Sequence, residues 1–243
     1  MNNRTAIITG AAKRIGAAIT RELHNMGMDV IIHFNKSDAA ASQLAKELND
    51  HRPHSAHIFQ ANLAQPESSD ALVKFALAVN NRIDVLINNA SAFFSTDLEN
   101  TSIADWDNMM DVNLKAPFYL AKAAAPYLVA TGGCIINLSD IYAGRPLKNY
   151  FLYCISKSGL NMLTRALALE LAPSVRVNAI APGAIFWHEN TSENDKKVIL
   201  EKVPMNKTGT AEDIARAVRY LVDSANYTTG QILVIDGGRS LLA

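Results

Sequence analysis

Short runs of β-branched and apolar residues alternate along the chain with longer segments whose apolar positions recur every three to four residues. The first pattern is that of a parallel strand buried on both faces, and the second that of an amphipathic helix. Strands are predicted at Thr5–Thr9, Asp29–Phe34, His57–Gln60, Asp84–Ile87, Cys134–Leu138, Val175–Ile180 and Gln231–Ile235. Helices are predicted at Lys13–Met26, Ala39–Leu48, Glu67–Val79, Ile103–Leu128 and Ala211–Leu221, with a further one carrying Tyr153 and Lys157. In that helix Leu160, Leu163, Leu167 and Leu171 keep the helical spacing until Pro173 stops it. No repeat and no Pro/Gly-rich linker interrupts the alternation. It predicts a single α/β domain over residues 1–243, a doubly wound, Rossmann-type fold with a seven-stranded parallel sheet flanked by helices. The one long irregular stretch, Pro182–Pro204, leaves the carboxyl end of the sixth strand, where such sheets bind ligands. A substrate-loop insertion is expected at 184–207, with a short helix capped by Thr191 or Ser192.

Hydrophobic residues make up 49% of the chain and charged residues 19%, which suits a globular protein with a large core. The 23 basic and 23 acidic side chains balance, so no electrostatic case arises for nucleic acid or an anionic membrane. Cys134 and Cys154 are the only cysteines and lack CxxC spacing, which points to a reduced, cytoplasmic protein. No apolar run approaches about 18 residues, and the N-terminal one is too short for a signal peptide. His51, His54 and His57 are three apart, but Pro53 breaks any helix between them, so no metal site is expected. Cys154 lacks a histidine partner and reads as a small buried side chain.

The candidate chemistry begins with Tyr153 and Lys157, four apart and so on one helix face. An ammonium beside a phenol favours the phenolate, and is expected to lower the tyrosine pKa from about 10 toward neutrality. At the other end of the chain, the first strand runs into Gly10-Ala11-Ala12-Lys13-Arg14-Ile15-Gly16 and then a helix. The outer glycines suit a pyrophosphate at a helix N-terminus, although Arg14 replaces the usual middle glycine. Asn88-Asn89-Ala90-Ser91 supplies a second polar turn at the same sheet edge. The tip of the second strand, His33-Phe34-Asn35-Lys36-Ser37, lacks the carboxylate that would hold the ribose 2′-hydroxyl of NAD. Lys13, Arg14, Lys36 and Ser37 are expected to converge on a 2′-phosphate instead, selecting NADPH. Asp38 reads as an early helix residue favoured by the dipole. Pro117, four residues after Asn113, deprives the Asn113 carbonyl of its helical partner, so the helix either kinks there or holds a water.

TGAAKRIG, NNAS, Asn113, YCISK, Pro182-Gly183 and Asp236-Gly237-Gly238 together resemble the short-chain dehydrogenase/reductase superfamily, in order and over essentially the whole chain. The resemblance implies that Tyr153 is the general acid. It implies that Lys157 holds the nicotinamide ribose and tunes that tyrosine, and that Asn113 maintains a water-linked proton path. It further implies cofactor contacts from Gly10, Lys13, Arg14, Ile15 and Gly16, from Asn35, Lys36 and Ser37, and from Asn62 and Leu63. Asn89, Ala90, Ser91, Tyr153, Lys157, Pro182, Gly183 and Ile185 complete that implied groove. Asn62 stands where many relatives have an aspartate, and Ala184-Ile185 lacks the hydroxyl often found after the Pro-Gly pair.

Superfamily members usually have a serine thirteen residues before the tyrosine; here that position is Asp140, with Ser139 one place earlier. A carboxylate there would repel the alkoxide forming in ketone reduction, but suits N–H donors or a ring nitrogen that must gain a proton. TGAAKRIG, the HFNKS turn, NNASAFF and the Asp140–Tyr153 pair are similar to pteridine reductases, including the bacterial dihydromonapterin reductases. That similarity implies a pterin lying between the nicotinamide and Phe93, with Arg14, Ser91, Asp140 and Tyr153 also contacting it. Phe94 reads as core, and Trp187 either lines the pocket or packs the loop down. The implied function is NADPH-dependent reduction of a dihydropterin or dihydrofolate by a homotetramer. A ketone or 3-oxoacyl reductase and a non-catalytic NADP(H) sensor are the alternatives.

Overall fold

The computed structural model describes residues 4–187 and 192–242. Seven parallel strands form one sheet: β1 (Thr5–Ile8), β2 (Asp29–Phe34), β3 (Ala56–Gln60), β4 (Val85–Asn88), β5 (Cys134–Leu138), β6 (Arg176–Pro182) and β7 (Ile232–Ile235). Their order is β3-β2-β1-β4-β5-β6-β7. The helices are α1 (Arg14–Asn25), α2 (Asp38–His51), α3 (Glu67–Asn80), α4 (Ile103–Met110), α5 (Ala116–Thr131), α6 (Phe151–Leu171), α7 (Glu193–Glu201) and α8 (Ala211–Asp223). Strands β1, β2, β4 and β5 are buried along their whole length, because helices cover both faces. Ile8, Ile32 and Ile87 pack with Ile19 and Leu23 of α1 and Val218 of α8. Ile7, Leu86 and Ile135 face the other way, onto Leu72 of α3 and Leu120 of α5. The single-domain α/β expectation is met, with element ends differing by a few residues.

One predicted helix differs in kind. The segment expected as Ile103–Leu128 is two helices, α4 and α5, joined by a π-helical turn at Asp111–Lys115. There the Ala116 N–H bonds the Asp111 carbonyl, five residues back. Pro117 accounts for the break in pattern, since it has no N–H to offer the Asn113 carbonyl. Asn113, within the wide turn, is fully buried. Ser192 caps α7 by accepting from the Asp195 N–H at 3.1 Å; Thr191, the other candidate, lies outside the described residues. Asp38 opens α2, as its charge suits. Cys154 is buried, and its Sγ accepts from the Leu147 N–H at 3.3 Å. Among the described residues no helix is long and apolar enough to cross a membrane.

His33, near the end of β2, fastens the first turn to the neighbouring strand. Its Nδ1 accepts from the Gly10 N–H at 3.2 Å, and its Nε2 lies 3.1 Å from the Ala61 carbonyl. Those two partners require the neutral ring with its proton on Nε2. Burial pushes the ring down from 6.5 to about 4. A folded pKa below the unfolded one gives stability that is complete above about pH 6.5 and drains away as pH falls through about 4. The shift corresponds to about 3 kcal/mol. Urea midpoints of the wild type should therefore drop more steeply between pH 6.5 and 4 than those of His33→Gln, whose amide keeps a donor and an acceptor but does not titrate. Parallel curves would refute the assignment.

Candidate active site

The two polar turns read separately in the sequence form one unit at the point where β1 and β4 part. Thr9 Oγ1 accepts from the N–H groups of Asn89 at 2.9 Å and Ala90 at 3.0 Å. Asn89 Nδ2 returns two bonds, to the carbonyls of Thr9 at 2.8 Å and Gly10 at 3.0 Å. A Cβ on Gly16 would lie 2.2 Å from the Gly10 carbonyl oxygen and 2.7 Å from Asn89 Nδ2, so α1 can begin this close only with glycine there. Arg14, at the middle-glycine position, takes φ = 52°, the left-handed region that costs a side-chain-bearing residue about 1–2 kcal/mol. Lys13, the residue before α1, makes no side-chain cap bond. The first N–H groups of α1 therefore point from a glycine turn into the cleft, which is the geometry that a dinucleotide pyrophosphate fits.

The other cofactor candidates divide. Lys13, Asn35 and Lys36 are exposed beyond β1 and β2, and the Asn35 carbonyl accepts from Gln60 Nε2 at 3.0 Å. Ser37 precedes α2 without committing its hydroxyl to a cap. Arg14 does not join them in one cluster: its guanidinium stands 5.9 Å over the Phe186 ring and lines the cavity beside Tyr153. Leu63 is buried in the core and can offer only its backbone, while Asn62 Oδ1 accepts from the Ala64 N–H at 3.2 Å. The Asn89 amide is likewise committed to holding the glycine turn.

Tyr153 and Lys157 share the inner face of α6, and both are buried. Tyr153 Oη donates to Asp140 Oδ2 at 2.8 Å, and Asp140 Oδ1 accepts from the Tyr142 N–H at 2.9 Å. Lys157 Nζ donates to the Leu138 carbonyl at 2.8 Å and lies 5.7 Å from the centre of the Tyr153 ring. Burial lowers the Lys157 pKa to about 8. Burial and then the Asp140 charge hold the Tyr153 hydroxyl well above its ordinary 10. The expectation that Lys157 lowers the tyrosine is thereby overturned: desolvation dominates, and the group nearest the phenol is a carboxylate that accepts its proton. Burial also raises Asp140 above the ordinary carboxylate range, against its hydrogen bonds from Tyr142 and Tyr153. Ser139 cannot replace Asp140 beside the phenol in this arrangement, because its hydroxyl donates to Asn161 Oδ1 at 2.6 Å.

Asn113 acts here through its side chain. Oδ1 accepts from the Ala92 N–H at 2.7 Å and the Ser91 hydroxyl at 3.1 Å. Nδ2 donates to the Ala92 carbonyl and to Ser156 Oγ, both at 3.0 Å. Ser156 Oγ in turn donates to the Tyr153 carbonyl at 2.7 Å. One buried amide thus ties the turn after β4 to the helix that carries Tyr153. Sequence spacing signals the π turn through Pro117 but gives no sign of this brace.

Two cavities meet at Asp140, Tyr153, Gly183 and Phe186. The inner one, about 210 Å³, is lined also by Ile15, Asn89, Ser91, Lys157, Pro182 and Ile185. The outer one, about 480 Å³, adds Arg14, Phe93, Tyr142, Leu147, Tyr150, Ala184, Trp187, Ile199 and Arg239. Phe93 stacks on Tyr150 at 4.7 Å and 19° and meets Tyr153 edge-on at 4.6 Å and 88°. Phe94 packs against the Met109, Leu152 and Tyr153 cluster, as expected of a core residue. Trp187 and Ile199 show that the 184–207 segment forms part of the cavity wall. Tyr142, Tyr150, Phe186 and Arg239 escaped the sequence reading. The available signal for Arg239 was its place directly after Asp236-Gly237-Gly238.

Residues 10–240 match the model of a family described as enoyl-(acyl carrier protein) reductase. A pteridine reductase 1 from Leishmania tarentolae is 33% identical over 277 residues, covering 97% of this chain and 96% of that one. A 3-oxoacyl-(acyl-carrier-protein) reductase from Rickettsia prowazekii is 35% identical over 245 residues, covering 98% and 97%. A 3beta-hydroxysteroid dehydrogenase 1 from Eggerthella lenta is 32% identical over 249 residues, covering 99% and 95%. The names of these relatives differ in substrate, and each matches over nearly the whole chain. The chain belongs to the short-chain dehydrogenase/reductase superfamily of NAD(P)(H)-dependent oxidoreductases.

Proposed function

We propose that this protein reduces the C=N bond of a dihydropterin with NADPH. The observation that carries the reading is the Asp140 carboxylate, half-buried and 2.8 Å from the Tyr153 hydroxyl. Ketone reduction builds negative charge on an oxygen at that point, which a carboxylate opposes. Reduction of a C=N bond instead places a proton on a ring nitrogen, which the pair can deliver. Tyr153 gives its proton to that nitrogen, and Asp140, whose raised pKa lets it take up a proton from water at higher pH than an ordinary carboxyl would, then returns one to the phenolate. Phe93 and Tyr150 form a flat aromatic wall, and such contacts contribute about 0.5–1.5 kcal/mol beyond burial. The Gly10 turn, the first turn of α1, Lys157 and Pro182-Gly183 would hold NADPH, which supplies the hydride when bound. The relative named pteridine reductase 1 favours this reading. The relative named 3-oxoacyl-(acyl-carrier-protein) reductase favours a second one, reduction of a ketone; the Ser139 hydroxyl, turned into α6, argues against it.

NADPH selectivity rests on Lys13, Lys36 and the uncommitted Ser37 hydroxyl. NADPH should bind at least about tenfold tighter than NADH, about 1.4 kcal/mol, and the Lys13→Ala/Lys36→Ala double variant should narrow the gap. Equal dissociation constants in wild type would remove the argument.

The substrate reading is tested by kcat/KM on a dihydropterin and on an activated ketone. Asp140→Ser should lower the pterin value by about tenfold to a hundredfold while leaving ketone reduction equal or better. On the pterin, wild-type kcat should fall as pH rises through the apparent pKa of the Tyr153–Asp140 pair, and Asp140→Asn should lose that limb. A wild type that prefers the ketone, with Asp140→Ser undiminished on both, would put the carbonyl reading in its place.

The assembly we propose is a homotetramer, supported by the exposed apolar Ile103, Trp106, Phe118, Met162 and Leu169 on α4, α5 and α6. Light scattering should return four chain masses; a single chain mass at micromolar concentration excludes it.

A further inference from the structure

We propose that Arg239 is the recognition residue for an anionic group, carboxylate or phosphate, on the part of the substrate farthest from its reacting ring. This inference rests on the pterin reading above and narrows it, from dihydropterins in general to those with a negatively charged side chain.

Arg239 is held from several sides. It is half-buried in the wall of the outer cavity, on a 3-10 turn (Arg239–Leu241) just beyond β7. Gly237 and Gly238 precede it with φ of 64° and 87°, so the chain reverses there in a conformation closed to most side chains. The Asp236 carboxylate accepts from the N–H groups of Gly238 at 2.8 Å and Ser240 at 2.6 Å, which fixes the turn from below. The Arg239 carbonyl accepts from Arg145 Nη1 at 2.9 Å. The guanidinium itself donates from Nη2 to Tyr142 Oη at 2.8 Å and lies 5.6 Å from that ring's centre. Backbone and side chain are thus positioned before any ligand arrives, which reduces the ordering cost of a contact there.

The guanidinium of Arg239 acts on Asp140 through its charge but forms no ion pair with it among the described residues. Among the described residues neither Arg239 nor Arg14, the other guanidinium lining this cavity, has a carboxylate within ion-pair distance. Among the described residues the only acidic side chain lining the cavity is Asp140, and its two oxygens already accept from Tyr153 and from the Tyr142 N–H. Two guanidinium groups therefore face one committed carboxylate across an aromatic-walled space. One Tyr142 hydroxyl occupies a single donor of the Arg239 fork and leaves the rest of a planar, bidentate surface, which matches a carboxylate or phosphate. A neutral polyol side chain would gain only ordinary hydrogen bonds from it.

The experiment compares three dihydropterins: dihydrofolate, whose glutamate carries carboxylates; a dihydroneopterin monophosphate; and neutral dihydrobiopterin. Each is assayed with wild type, Arg239→Gln and Arg239→Lys. Wild type should favour at least one anionic substrate over the neutral one by tenfold or more in kcat/KM, and which anion wins identifies the source of the charge. Arg239→Gln should erase at least tenfold of that preference, through KM rather than kcat. Arg239→Lys should restore part of it, and added salt should weaken only the anionic substrates. Equal losses on all three substrates, carried in kcat, would make Arg239 a strut for Tyr142 and Asp140 and overturn the proposal, as would a wild type that prefers dihydrobiopterin. A calorimetric titration with para-aminobenzoylglutamate, the tail without the pterin ring, separates this failure from that of the pterin reading. Binding that depends on Arg239 upholds the anion site even if no dihydropterin is turned over, and binding indifferent to Arg239→Gln defeats it.

Discussion

The cleft depends on a clasp of four hydrogen bonds between Thr9-Gly10 and the Asn89-Ala90 turn. β1 and β4 are neighbours in the sheet, but their following segments diverge, one returning through α1 toward β2 and the other leading toward α4. Loops that separate in this way would leave their polar backbone groups facing each other across a gap. The threonine hydroxyl and the asparagine amide satisfy those groups at short range, so the gap opens only beyond them. Gly16 then fits against the same asparagine, and the start of α1 is fixed relative to β4. Asn113 continues the connection to α6 through Ser91, Ala92 and Ser156. Three segments distant in sequence thereby meet at fixed spacing around Tyr153.

Within that frame the electrostatics run opposite to what adjacency on a helix suggests. A lysine one turn from a tyrosine looks like a device for making phenolate. In the folded chain both groups are desolvated, and a carboxylate from another segment sits closer to the phenol than the ammonium does. The pair Tyr153–Asp140 therefore stores a proton rather than shedding one, and Lys157 offsets part of the negative charge from a distance. Burial weighs more than any single pairwise attraction here, because Tyr153 and Lys157 are almost wholly removed from water and Asp140 is half-buried beside them.

The fold was legible because the inner strands carry mostly apolar runs such as Val30-Ile31-Ile32 or Cys134-Ile135-Ile136, which need covering on both faces. The motif residues were legible because glycine turns and the Tyr-Lys spacing leave local marks. What escaped were contacts between segments far apart in sequence. Arg239 reaches Tyr142 across 97 positions, and His33 reaches Gly10 and Ala61 only because β2 lies between β1 and β3. The direction of the Tyr153 shift escaped for the same reason, since its sign depends on relative distances and depth. Asp140 was noticed by its chemistry, but its bond to Tyr153 belongs to the tertiary structure.

The strand order also has a consequence for a chain that emerges from the ribosome one residue at a time. β1 is made first yet occupies the middle of the sheet, so its β4-facing edge stays open until more than seventy further residues have appeared. Each later strand then adds to the outside, and β7 closes the series. The turn bearing Arg239 follows all seven, and it packs on Tyr142, made nearly a hundred residues earlier. A nascent chain can therefore hold Tyr153 and Lys157 on a formed helix while the wall opposite them is still missing. The cavity is therefore complete only once β7 and the turn after it are in place, and Asp140 stays open to water until then.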